Sequence, residues 1–521
     1  MVSRKYPVGI QTFSEIIEKK YIYVDKTEIL YKLINKYKYV FLSRPRRFGK
    51  SLLVSTMKEY FSGNRELFKG LKIESLEKEW IRYPVFRFDL GVCKNKISED
   101  LRSDLFSQLS NYEKIYGCDC SEKTVSAKFN GLIHRAYDKT GKKVVILIDE
   151  YDAPLLNVLY EENMDEVRNL MRSFFSPVKA CDEYIQFAFM TGITKFSQLS
   201  IFSELNNLAK ISMDDEFSSI CGITQDELDV NLAEDVHILA EKLGHSFEQT
   251  HDELKRMFDG YHFSKKSEDI YNPFSLMSCF ASGEINPIWF DSATPSFLLK
   301  TMERYNFRIT DTENLECKAE SFDVSANDLD SALPLVYQSG YLTIKGYDER
   351  FRLYKLALPN DEVRYGLINA IYPSVFQNRE NNSDFWIRNF VKDIENRKVK
   401  DFMLRLEAML MSIPYATGKD SKTVTEQNIQ VGIYLIFNLM GQFTQAECHT
   451  LKGRSDCEVV TPDTVYLFEF KLSDSAEEAL KQIDDKDYAC KFIAGNRKII
   501  KIGVGFDSLT QKFNEWKMLE V

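Results

Sequence analysis

Two acidic residues and a lysine near the end of this 521-residue chain are spaced for cutting a phosphodiester. Gly453, Arg454, Ser455 and Asp456 are followed, after twelve residues, by Glu469, Phe470 and Lys471, which close an apolar run that starts at Thr464. On a strand, alternate side chains share a face, so Glu469 and Lys471 project together while Phe470 turns to the core. Carboxylates from adjacent strands, Asp456 and Glu469, can hold Mg²⁺, and Lys471 beside them can orient or deprotonate the attacking water. The plainer alternative is a solvated Glu-x-Lys pair on an edge strand.

A phosphate signature lies near the other end. The strand-like run Val40 to Ser43 leads into Arg44, Pro45, Arg46, Arg47, Phe48, Gly49, Lys50 and Ser51, and then into the helical pattern Leu52 to Phe61. Against the pattern G-x-x-x-x-G-K-[ST], only the first glycine is missing, and Arg44 takes its place. Backbone amides around Gly49 and the helix N-terminus would cradle phosphate, with Lys50 on the outer phosphates and Ser51 on Mg²⁺. Downstream, the strand Val144 to Ile148 ends in Asp149 and Glu150, the first suited to hold the metal and the second to polarise water. Arg44, Arg46, Arg47 and Lys50 put four cations within seven residues. They suit a nucleotide or neighbouring acidic groups better than DNA.

These segments resemble the AAA-ATPase-like proteins of bacteria and archaea that carry a C-terminal nuclease domain of the PD-(D/E)XK superfamily. The resemblance is carried by residues 44–52, 148–154, 191–194, 259–263 with 271–274, and 453–471. An arginine-rich phosphate loop is itself a trait of that family. The resemblance implies ATP and Mg²⁺ as cofactors and Thr191 as a polar sensor near the γ-phosphate. It also implies Glu426, on the first helix of the nuclease domain, as a further metal ligand; Thr423 to Glu426 reads equally well as a capping box. Gln482 and Tyr488 resemble a helix motif that positions phosphate. Glu447 and His449 lie one hairpin before the site, where a lone strand histidine is ordinarily a surface or hydrogen-bonded residue. Asp259, Tyr261 and Asn272 match family positions in which packing and turn roles are expected.

The elements that must position these residues define the expected fold class, α/β. A P-loop NTPase-type parallel sheet is followed by a helical lid or winged-helix region and then by a restriction-endonuclease-like α/β domain. The expected divisions are an ATPase domain at 1–224, a lid or winged-helix region at 225–358, a helical connector at 359–417 and a nuclease-like domain at 418–521. Strands are expected at 39–42, 84–88, 144–148 and 184–190, with a β-rich end to the second region at 341–344 and 351–356. Connector helices are expected at 362–372 and 384–411. The last domain should run helix, strand 443–449, a loop bearing Asp456, strand 465–470, helix, and strand 498–504, with room for one more short strand.

Composition sets outer bounds. The chain is 44% hydrophobic and 28% charged, enough for about three ordinary domains. No apolar run approaches the roughly 18 residues of a membrane span, and the first residues lack a signal-peptide core, so a cytoplasmic protein is expected. Ten scattered cysteines without a C-x-x-C pair, and only six histidines, suit reduced thiols rather than a disulfide framework or a zinc site. The net charge of −10 requires any nucleic-acid contact to be local. The expected function is therefore an ATP-binding protein with a Mg²⁺-dependent nuclease domain, acting on DNA in preference to RNA, with cutting controlled by ATP binding or hydrolysis. The resemblance leaves room for a homo-oligomer. The alternative is an ATP-dependent switch or scaffold whose nuclease-like domain binds nucleic acid or protein without cutting.

Overall fold

The computed structural model describes residues 4–93, 97–195, 208–289, 296–312, 315–323, 330–376, 383–414, 421–451, 454–472, 475–486, 488–493, 497–507 and 512–520. Two compact units result, one of Met1–Phe307 with Leu315–Val363 and the other of Arg308–Asn314 with Arg364–Val521.

The first unit is built on five parallel strands: β1 (Tyr39–Ser43), β2 (Val85–Asp89), β3 (Val144–Asp149), β4 (Ile185–Gly192) and β5 (Ala209–Lys210). Their order across the sheet is β2-β3-β4-β1-β5. β3 is buried at every position, as a strand covered on both faces must be, and its unbroken Val-Ile-Leu composition answers to that. Helix α1 (Lys50–Phe61) packs on β3. At the sheet edge, β2 has its outer backbone groups occupied by helix α2 (Ser98–Tyr116): Tyr112 Oη accepts from Arg87 N at 2.7 Å and donates to Arg87 O at 2.8 Å. Gln108 serves Asp89 N and O in the same way. That edge is closed to further strand pairing.

Beyond the sheet, helices Gln225–Asn231 and Phe247–Phe258 open on capping boxes at Thr224 and Ser246. Helix Pro273–Ser282 is capped by Asn272, with proline at its first position. A three-stranded antiparallel sheet follows, β6 (Leu315–Cys317), β7 (Thr343–Asp348) and β8 (Leu353–Ala357), in the order β6-β8-β7.

In the second unit the expected helix over 384–411 is two helices, Ser383–Glu395 and Val399–Leu410. The turn between them puts Arg397 at φ +57° and closes with Lys398 N–H on Asp393 O, although no glycine or proline marks it. Helix α3 (Ser421–Met440) starts before Thr423, so Glu426 stands in its second turn. The sheet comprises β9 (Gln445–Leu451), β10 (Arg454–Val460), β11 (Thr464–Leu472), β12 (Lys498–Asp507) and β13 (Lys512–Glu520), side by side in chain order. Only β11 and β12 are parallel, and helix α4 (Ala476–Asp485) makes the crossover between them.

Two corrections fall here. Asp456 sits in the middle of a strand, not in a loop, because the polar residues of β10 are held by pairing on both sides. The final strand, β13, spans nine residues. On β11 the alternation holds: Phe468 and Phe470 pack on Phe437, while Val465 and Leu467 on the other face join Leu480 and Ile483 of α4. Among the described residues no helix is long and apolar enough to cross a membrane.

Candidate functional site

The phosphate loop joins β1 to α1. Gly49, at φ +87°, occupies the N-cap of α1, a left-handed backbone that glycine adopts without steric cost. Arg47 is also left-handed, at φ +67°. Lys50 is buried and its Nζ reaches back across the loop to Arg44 O at 3.0 Å and Pro45 O at 2.8 Å. Burial lowers its amine pKa, against the pull of Glu150, Asp149 and Asp152.

β4 lies between β1 and β3, so the turns after all three strands meet at one end of the sheet. Asp149, at the end of β3, is pushed up to about 6 by burial, against a hydrogen bond from Ser51 and the charge of Lys50. Its Oδ1 and the Thr191 hydroxyl are both buried and have no hydrogen-bond partner among the described residues. Two orphaned oxygens beside a lysine and a helix N-terminus fit a metal-bound polyphosphate. Glu150, at φ +50°, extends over Gly91, where a Cβ would fall 2.0 Å from its Oε2 and 3.2 Å from Asp89 Oδ1.

The turns after β3 and β4 are tied together. Asp152 Oδ2 accepts from Ile193 N at 2.9 Å, Thr194 N at 2.6 Å and Thr194 Oγ1 at 2.8 Å. Tyr151 donates its N–H to Thr191 O and its hydroxyl to Thr194 O. Gly192 is required there, since a Cβ would lie 2.4 Å from Asp152 Oδ1.

The four loop cations do not act as a group. Arg44 is 1% exposed and donates to Ser212 O at 2.7 Å, Ser218 O at 3.1 Å and Ser43 O at 3.0 Å, its guanidinium 4.0 Å from the centre of the Phe263 ring. Burial pushes its pKa down to about 10. It is a tether for the segment after β5. Arg47 is exposed with its guanidinium over Phe274, and half-buried Arg46 lends its carbonyl to Trp289 Nε1 at 3.2 Å. Phe48 packs edge-on against Tyr261 and Phe263. Residues 259–263 and 271–274 therefore form the outer wall of the loop.

In the second unit, Asp456 on β10 stands directly opposite Glu469 on β11, and Arg454 opposite Lys471. His449 on β9 and Gly503 on β12 continue the row on either side. Glu469 is fully buried, Asp456 and Lys471 half-buried. Tyr488 Oη donates to Asp456 Oδ2 at 3.0 Å, and Lys471 Nζ donates to Gln482 Oε1. Gly503 lets α4 rest on the sheet: a Cβ there would lie 2.3 Å from Ala476 O. Among the described residues no group of three or more His, Cys, Asp or Glu side chains forms a metal cage, and Glu426 belongs to none. Two opposed carboxylates, one of them fully buried, fit Mg²⁺, which keeps several waters and takes its remaining oxygens from a phosphate. The side chain of Glu447 lies outside the described residues.

Cys448 and Cys457 stand opposite each other on β9 and β10, with Cα atoms 4.1 Å apart, on the face away from Asp456.

A family described as predicted AAA-ATPase matches residues 7–202, and one described as PD-(D/E)XK nuclease superfamily matches residues 424–516. An uncharacterized protein from the vnfD 5′ region of Azotobacter chroococcum mcd 1 is 34% identical over 527 residues, covering 97% of each chain. The chain belongs to the AAA-ATPase-like family with a C-terminal PD-(D/E)XK nuclease-superfamily domain. The parallel sheet of the first unit and the mixed sheet of the second are the folds that this membership requires.

For this AAA-ATPase-like protein, sequence reading passed over Asp89, Gly91, Asp152 and Gly503. Asp152 carried a usable signal, since it stands three residues after Asp149 within a segment already singled out. The other three emerge only from strand register and helix depth, which spacing along the chain does not encode.

Proposed function

We propose that this protein binds ATP in its N-terminal domain and cuts DNA with Mg²⁺ in its C-terminal domain, and that nucleotide occupancy governs cutting. The observation that carries the reading is the opposition of Asp456 to Glu469 with Lys471 on the same face, each of the two half-buried members held by its own partner. Asp456 and Glu469 hold Mg²⁺, which when bound supplies Lewis acidity toward a phosphate oxygen and acidifies a water. Lys471, steadied by Gln482, orients that water in line with the leaving oxygen, and Tyr488 fixes the rotamer of Asp456.

At the other site, Gly49 and the start of α1 present N–H groups to the phosphates, Lys50 meets the outer phosphates, and Ser51 and Asp149 hold a second Mg²⁺. Glu150 polarises water, Thr191 senses the γ-phosphate, and Arg46 and Arg47 supply positive charge at the loop. The domain division at 1–224, 225–358, 359–417 and 418–521 and a cytoplasmic setting are part of this reading.

The test is a cutting assay on single-stranded DNA, duplex DNA and RNA, with and without ATP and Mg²⁺, with phosphate release followed in parallel. Metal-dependent cutting of DNA that disappears in Asp456→Asn supports the nuclease, and its absence on every substrate refutes it. Cutting that ignores both ATP and the Lys50→Ala change refutes the coupling.

A further inference from the structure

The hairpin of β7 and β8 turns from Asp348 to Leu353 through Glu349, Arg350, Phe351 and Arg352. At its tip the Phe351 ring is 59% exposed. The turn is closed by Phe351 N–H, which donates to Asp348 Oδ1 at 2.9 Å, and Arg352 stands at φ +55°, in the left-handed region that favours glycine. The Arg350 guanidinium lies 5.1 Å from the centre of the Phe351 ring. Both arginines are exposed, and among the described residues no hydrogen bond or ion pair engages either of them. Behind the tip, Tyr347 and Tyr354 pair across the strands with ring centres 4.6 Å apart, and exposed Lys265 holds its ammonium 4.0 Å from the centre of the Tyr347 ring. Of the nearby acids, Asp348 is engaged in the turn, Glu349 is exposed and Glu316 pairs with Lys355 at 3.3 Å. Arg350, Arg352 and Lys265 thus leave this end of the hairpin basic in a chain whose net charge is −10. A lone exposed phenylalanine is ordinary, but one set between two unpaired arginines at a hairpin tip has the composition of a stacking platform for a nucleic-acid strand.

We propose that this tip binds single-stranded DNA, with a base stacked on Phe351 and the flanking phosphates met by Arg350 and Arg352. The inference rests on the DNA reading of the second unit given above, and it names the form of DNA that the protein recognises. A ring can stack only on a base whose own face is free, and inside a duplex the neighbouring base pairs cover those faces. Guanidinium suits the flanking positions because it is planar, stacks on aromatic rings and grips phosphate with two N–H groups at once. The contact reads no sequence, since every base has a π-face and every nucleotide a phosphate. A lipid surface is served less well, because an interfacial anchor needs a broad apolar face and the tip offers one ring.

The experiment is fluorescence anisotropy on the full-length chain in EDTA, which stops metal-dependent cutting, with labelled oligothymidylate, its duplex with oligodeoxyadenylate, and oligouridylate as probes. Oligothymidylate should bind at least about fivefold tighter than the duplex. Phe351→Ala should weaken that binding about tenfold, and Phe351→Trp should restore it. Arg350→Gln combined with Arg352→Gln should flatten the slope of log affinity against log salt by about 1.4, the share of two phosphate contacts on a single strand. These positions are exposed, so each variant should melt within about 2 °C of wild type. If Phe351→Ala leaves the affinity unchanged and the arginine pair leaves the slope unchanged, the proposal falls. It falls too if the duplex binds as tightly as the single strand, or if oligouridylate binds more tightly than oligothymidylate. Oligothymidylate binding that both changes weaken, in a wild-type chain that never cuts once Mg²⁺ is added, upholds the tip and refutes the nuclease. A wild-type chain that binds no DNA refutes both.

Discussion

Arg44→Gly would give the phosphate loop the glycine that its pattern lacks, yet it should weaken the protein instead of improving the site. The guanidinium is 1% exposed and makes three hydrogen bonds, to Ser43 O, Ser212 O and Ser218 O, besides lying on Phe263. A hydrogen bond from a charged donor is worth about 1.5–3 kcal/mol, so three amount to roughly 4–9 kcal/mol. Relief of the desolvation that depresses its pKa offsets several of these, and about 3 kcal/mol of net loss remains. For a large unit each kcal/mol moves the midpoint by about 2–4 °C, so Tm should fall by roughly 6–12 °C. Scanning fluorimetry on the full chain reads this directly, with tripolyphosphate affinity at 20 °C as a check on the loop. A Tm within about 1 °C of wild type, together with faster phosphate release, would refute the assignment of Arg44 as a tether.

Three further outcomes are expected. Asp456→Asn, Glu469→Gln and Lys471→Met should each lower metal-dependent plasmid nicking by roughly 10²-fold or more and leave ATP binding intact, whereas Tyr488→Phe, which loses one hydrogen bond, should cost about tenfold or less. Asp149 has a folded pKa raised to about 6, so between its unfolded value and pH 6 the folded state binds more protons than the unfolded state, and its contribution to stability declines as pH rises through that window. Asp149→Asn should therefore raise Tm at pH 8 while abolishing phosphate release, and a flat difference between the two proteins from pH 4 to 8 would contradict the burial argument. Gly503→Ala must push α4 off the sheet, since the new methyl meets Ala476 O, and should cost about 1–3 kcal/mol in urea unfolding along with most of the nicking activity.

The parallel sheet was legible because β1 and β3 are unbroken apolar runs ending in chemically distinctive residues. The pairing of Glu469 with Lys471 on one face followed from strand periodicity alone. Asp456 was legible as a ligand candidate but not as a strand residue: Ser455, Asp456 and Glu458 give β10 no apolar alternation, and only register with β9 and β11 defines it. Arg44 misled in a different way. Its neighbours in sequence are phosphate-loop residues, while its neighbours in space are carbonyls far along the chain at Ser212 and Ser218, and no local rule links the two. The break at Arg397 was invisible for the same reason, because a left-handed arginine replaces the glycine that would have announced it.

Asp152 collects three hydrogen bonds from Ile193 and Thr194, and Tyr151 adds two more to Thr191 and Thr194. The acidic turn and the threonine turn are thus one mechanical piece, unable to shift separately. A chimera that borrows either segment from a relative must import its counterpart as well, or it will inherit a mismatched jaw.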